Sequence, residues 1–140
     1  MAKSFNDCLN AGLIKKYSST RDEIDKELGQ SKNDISRANE TLNAGDYKWS
    51  TIQAYYSMFH AARAVLFSAG YREKSHKCIL YFLESLADDG RLESHFSQEF
   101  SAAMYLREEA DYNATYSKQS ATDTVSNASA FIIKMKSLLP

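Results

Sequence analysis

Residues 54–70 read "AYYSMFHAARAVLFSAG", an aromatic, aliphatic and small-residue run broken by His60 and Arg63. The run holds no proline, and glycine enters only at its end, so it reads as a helix that stops at Gly70. Apolar side chains on nearly every face make it the central, most buried helix of its fold. Two stripes run along it at heptad spacing. Ile52, Tyr55, Phe59, Ala62, Leu66 and Ala69 form an apolar one; Gln53, Tyr56, His60, Arg63 and Phe67 form a mixed aromatic and polar one. Side chains three and four apart share a helix face, so Tyr56, His60 and Arg63 are expected on one surface.

Outward from this segment the chain remains helical. Toward the N-terminus, Ile24, Leu28, Ile35, Ala38 and Leu42 alternate by threes and fours, with a missed step at Ser31, and mark an amphipathic helix of about six turns. "NAGD" should end it, with Gly45 as left-handed cap and Asp46 capping the central helix over 47–69. Toward the C-terminus, a short link "YREK" leads to Ser75 as N-cap of a helix through "HKCILYFLESLA", closed by "DDG" at 88–90. A helix over about 92–112 buries Phe96, Phe100, Ala103 and Ala110. A last one over about 118–138 buries Ala121, Val125, Ala128, Ile132, Met135 and Leu139. No segment of four or more residues alternates as a half-buried strand would. Short linkers make sequential helices antiparallel, so the fold is expected to be all-α, an up-and-down bundle of four to five helices. Residues 1–140 form one domain, with 1–20 adding a short helix, "FNDCLNAGL", on one end.

Seventeen basic and 18 acidic residues give a net charge of -1, so no global field draws the chain to nucleic acid or to an anionic membrane. Phosphate binding, if present, is local. No apolar run is long enough to span a bilayer, and the N-terminus lacks a signal-peptide core. The two cysteines, Cys8 and Cys78, form no CxxC pair and no zinc-type spacing, so reduced thiols in a cytoplasmic compartment are expected, with no metal and no cofactor.

In the helix over 92–112, Arg107 takes a position that periodicity assigns to the packed seam, where a guanidinium needs an anion or an opening to water. Asp111 can reach it along the helix. In the bland reading these are parts of a buried polar network, with His60 on a carbonyl or tyrosine hydroxyl and Arg63 extending to the surface. His76, just after a Ser cap, is expected to be solvated, and His95 has no supporting context. The nine tyrosines are assigned to packing boundaries, with base stacking as the functional alternative.

"AYYSMFHAARAVLFSAGYREKSHKCILYFL" at 54–83 followed by "LREEADYN" at 106–113 resembles the HEPN superfamily, the higher-eukaryote-and-prokaryote nucleotide-binding domain, and in particular its small stand-alone prokaryotic branch. The resemblance rests on three ordered motifs: the aromatic-alanine helix, the link Lys74-Ser75-His76, and Arg107-x-x-Ala110-Asp111-Tyr112. It implies a bundle of about four long helices that dimerises and is paired with a minimal nucleotidyltransferase as a toxin–antitoxin couple.

Many members of the superfamily are metal-independent ribonucleases using an arginine, a spacer of four to six residues and a histidine. There a histidine base takes the 2'-OH proton and the arginine stabilises phosphate charge. Here Arg107 stands where that arginine should, but Asp111 and Tyr112 occupy the neighbourhood of the histidine, so the ribonuclease motif is not intact. The spacings Arg72 to His76 and Arg91 to His95 are one residue short and are treated as chance. The expected function is a nucleotide- or RNA-associated binding module whose site comprises His60, Arg63, His76, Arg107, Asp111 and Tyr112. The alternative is an endoribonuclease using His60 or His76 with Arg107.

Overall fold

A computed structural model describes residues 1–140. Six helices and two short strands follow in the order α1 (Phe5–Asn10), β1 (Ile14–Lys16), α2 (Arg21–Asn43), α3 (Tyr47–Ser68), β2 (Tyr71–Glu73), α4 (His76–Asp88), α5 (Ser94–Tyr112) and α6 (Lys118–Ser137). The five longer helices form the expected all-α bundle, and α3 is its axis. Fourteen of its 22 residues are buried, and it packs against α2, α4, α5 and α6.

The helix boundaries follow local chemistry. Thr20 and Glu23 form a reciprocal capping box at the start of α2. Asp46 accepts from the Trp49 amide to start α3. Gly45 at φ 78° and Gly70 at φ 91° take left-handed conformations that a β-carbon would strain.

Ser31 is no lapse in the pattern of α2. It is fully buried and donates to the Ser57 carbonyl of α3 at 2.7 Å, where small side chains let the two helices approach closely. The main core gathers Tyr55, Met58 and Leu66 of α3 with Ile79 and Leu83 of α4, Phe100 of α5 and Phe131 of α6. Phe100 and Phe131 stack with ring centroids 5.8 Å apart.

Two findings at the N-terminus differ from the sequence reading. The link "YREK" is not a plain connection: Tyr71–Glu73 pairs antiparallel with Ile14–Lys16, Ile14 opposite Glu73 and Lys16 opposite Tyr71. Three-residue strands are too short to show alternation, which explains why periodicity passes over them. Second, Cys8 and Cys78 are joined in a disulfide between α1 and α4, with Cα atoms 6.0 Å apart. This corrects the expectation of reduced thiols: spacing in sequence says nothing about two cysteines 70 residues apart that the fold brings together. No helix is long and apolar enough to cross a membrane.

Candidate functional site

The polar stripe of α3 lies half-buried along the bundle, and the structure divides the predicted site residues between two groups. The first joins α3 to α2 and β2. His60 Nδ1 lies 2.6 Å from Glu27 Oε2, and Arg63 Nη1 donates to Glu27 Oε1 at 2.6 Å. Arg63 Nε donates to Glu73 Oε1 at 3.0 Å, and its guanidinium lies 4.9 Å from the Phe67 ring centroid. His60 Nε2 is 3.8 Å from Asp34 Oδ2, beyond hydrogen-bond reach. Arg63 therefore does not extend to the surface, and the partner of His60 is a carboxylate instead of a carbonyl or hydroxyl. Burial pushes the Glu27 carboxyl upward, but the hydrogen bond from His60 and the charges of His60 and Arg63 outweigh it and hold Glu27 below the usual glutamate range. Asp34 is raised by burial.

The second group joins α3 to α4 and α5. Arg107 Nη2 donates to Tyr56 Oη at 2.8 Å, and its guanidinium lies 5.3 Å from the Tyr56 ring centroid and 5.5 Å from that of Tyr112. Asp111 stands 3.6 Å from Nη2, a loose ion pair at a side chain one-third exposed. Arg107 Nε is sealed from solvent and has no acceptor. A buried donor left unpaired costs roughly 1–3 kcal/mol, so its persistence calls for a reason.

His76 is not the solvated residue that its place after Ser75 suggests. Its ring stacks on Phe59 at 4.2 Å, and its Nδ1 lies 3.0 Å from Tyr55 Oη. Tyr55 is fully buried, which raises its phenol far above the ordinary value, and it has no other acceptor, so the phenol donates and Nδ1 accepts. The neutral imidazole consequently carries its proton on Nε2, as a donor. Burial first, then Arg107, lower the proton affinity of His76, with Arg63 and His60 adding and Glu73 opposing. The sign follows. Below the ordinary value of 6.5 the unfolded chain binds this proton more readily than the folded one, so stability falls as pH drops through that window and is indifferent above it. Histidine resonances followed by NMR should show His76 titrating below 6.5, and an ordinary or raised value would remove the buried Tyr55 contact.

His60 and Arg107 thus have separate partners and no contact with each other, and His76 is the residue on which both act. His95 lies exposed beside Glu99 at 3.3 Å. Tyr105, Tyr112 and Tyr116 are exposed, which corrects their assignment to packing boundaries: no neighbouring helix covers their rings. No cluster of histidine, cysteine or carboxylate side chains has the geometry to hold a metal ion. Glu27, Glu73 and Tyr55, which orient the predicted residues, are missing from the sequence-level site. Glu27 was legible in principle, since it shares the face of α2 that carries Ile24 and Leu28.

An all-helical bundle with a half-buried histidine–arginine stripe on its axial helix defines a class of fold, and comparison with known proteins supplies the family. The profile of the HEPN domain matches residues 25–138, and the chain belongs to that family. A "UPF0332 protein" of Archaeoglobus fulgidus is 30% identical over 117 residues, covering 82% of this chain and 94% of that protein. "Putative toxin MJ0142" of Methanocaldococcus jannaschii is 24% identical over 84% of this chain and 82% of its own. "Putative toxin MJ0605" of the same organism is 25% identical over 85% and 90%. The crystal structure of TT1696 from Thermus thermophilus superposes with a TM-score of 0.73 at 18% identity, over 83% of this chain and 98% of that one, and supports the fold.

Proposed function

We propose that the protein is a dimeric HEPN binding module that holds a nucleotide or RNA phosphate at Arg107 and acts beside a minimal nucleotidyltransferase in a toxin–antitoxin pair. The observation that carries the reading is the state of the Arg107 guanidinium, placed near two tyrosine rings, loosely paired with Asp111, and with Nε unpartnered. A phosphate oxygen would pair with the terminal nitrogens that Asp111 engages only loosely, and the exposed Tyr112 ring offers a base a stacking surface. The partner and the dimer rest on the family resemblance and on the toxin names of the two Methanocaldococcus relatives.

The ribonuclease alternative needs a base beside Arg107. Tyr55 fixes His76 in the tautomer that donates from Nε2, while His60, whose Nδ1 faces Glu27 as a base's would, has no contact with Arg107. Both points favour binding over cleavage.

The test is titration of the full chain with a short fluorescent oligoribonucleotide, alongside an RNA cleavage assay in EDTA. Binding is expected, weakened about tenfold or more in Arg107→Ala, equivalent to about 1.4 kcal/mol, without cleavage. Equal binding by Arg107→Ala would sink the reading. Cleavage lost in His60→Ala or His76→Ala together with Arg107→Ala would replace it with the nuclease.

A further inference from the structure

A second polar site lies on the other side of the stripe. A cleft of about 330 Å³ opens between α2, the C-terminal half of α3 and β2, and Phe67 is the one hydrophobic residue in its wall. The carboxylates of that wall are already committed. Glu23 accepts from the Thr20 amide at 3.0 Å and from the Tyr17 hydroxyl, and Glu27 accepts from Arg63 and faces His60 Nδ1. Glu73, behind the wall, takes Arg63 Nε. The groups left without protein partners are donors: Lys26, which makes no ion pair, and the second terminal nitrogen of Arg63. To these Arg72 adds a guanidinium that stands over the rings of Tyr17 and Phe67 at 5.2 and 5.7 Å and pairs with no carboxylate. Three fixed cations, Lys26, Arg63 and Arg72, thus line the cleft against two carboxylates whose oxygens are occupied.

We infer that this cleft binds a phosphate monoester, with Lys26 and Arg72 as the clamp and Arg63 at the base. Donors converge from three elements, which suits a tetrahedral group with three peripheral oxygens better than a planar carboxylate. The rings under Arg63 and Arg72 hold both guanidinium planes in place, so little side-chain freedom is lost on binding. The volume exceeds what the phosphate alone fills and leaves room for the group esterified to it.

Neither Arg107 nor His76 lines this cleft, so the inference stands or falls apart from the proposed function. Calorimetric titration of the full chain with inorganic phosphate, AMP, and one oligoribonucleotide in 5'-phosphorylated and 5'-hydroxyl forms tests it. The variants are Lys26→Ser with Arg72→Ser, both at exposed positions, and separately Arg107→Ala. Inorganic phosphate and AMP are expected to bind, about tenfold or more weaker in the double variant and unchanged in Arg107→Ala, and any preference for the 5'-phosphorylated over the 5'-hydroxyl oligoribonucleotide is expected to vanish in the double variant alone. Tighter binding of AMP identifies a free phosphomonoester as the ligand. Tighter binding of the 5'-phosphorylated RNA over its 5'-hydroxyl form identifies an RNA end. Absence of binding at millimolar probe, or binding unchanged in the double variant, overturns the inference. Loss confined to Arg107→Ala overturns it as well and leaves the proposed function standing.

Discussion

Replacing both Cys8 and Cys78 with alanine is expected to lower the unfolding free energy by about 3–4 kcal/mol. The bridge closes a loop across a sequence separation of 70 residues, and for a loop of that size the chain-entropy relation predicts roughly 4 kcal/mol of restriction on the unfolded chain. Two features of the fold bear on how much of this is realised. Both cysteines are fully buried, so their removal also costs packing in the core. In the other direction, the N-terminal arm has further attachments: Phe5 packs edge-on against Tyr71, the β1–β2 ladder pairs three residues, Lys74 N donates to the Leu13 carbonyl at 2.8 Å, and Ser19 Oγ donates to the Phe67 carbonyl at 2.9 Å. The arm therefore remains docked when the covalent link is gone, and the loss appears as a lower urea midpoint with a steeper slope, because the released unfolded chain exposes more surface. The native chain measured with and without a thiol reductant should show the same shift. A difference below about 1 kcal/mol would mean that the unfolded chain gains little freedom from losing the bridge.

The arm begins outside residues 25–138, the span of the family match, and its elements are those that periodicity handles least well. The long helices were legible because each carries an apolar face, or in α3 apolar residues nearly all round, through three or more turns and ends at a glycine, a cap or a charged turn. Phe96, Phe100, Ala103 and Ala110 of α5 are all buried as their spacing predicts. Three-residue strands and a disulfide between distant helices have no such periodic signature, because their partners are chosen by tertiary docking.

The site divides along the same line. Periodicity placed Tyr56, His60 and Arg63 on one stripe, and the structure keeps them half-buried along α3. It could not say which neighbour each would meet. His60 and Arg63 face carboxylates of α2 and β2, and Arg107 approaches the stripe at Tyr56, nearer the helix start. A stripe that is continuous on one helix is thus shared between two neighbours that cross it at different heights. His76 was misread for a related reason. Its position after an N-cap describes the backbone, whereas burial is set by Phe59 and Tyr55 on the preceding helix, α3.

Substituting Glu27 with alanine is expected to cost about 2–3 kcal/mol, because it takes the carboxylate from two cationisable partners at once. Removing one partner of a buried ion pair leaves the other charged and desolvated, at roughly 3–5 kcal/mol for a fully buried pair. The discount has two sources: the cluster opens on the cleft, and Arg63 keeps Glu73 as a partner. Glu27→Gln should cost less, since its carbonyl still accepts from Arg63. A cycle combining Glu27→Ala with Arg63→Met isolates the pair itself, because the double variant leaves no orphaned guanidinium. The pH dependence has a fixed sign. The folded carboxyl lies below its ordinary value of 4.5, so the stabilisation is fully present above that value and is lost as pH falls through the lower folded one. The gap between native and Glu27→Ala stabilities should therefore be constant near neutrality and close on acidification below 4.5. Asp34, raised by burial, works in the opposite direction and is present in both proteins, so it cancels in the difference. A gap that persists unchanged into strong acid would mean that Glu27 stabilises by packing its methylenes between α2 and α3, with its charge contributing nothing net.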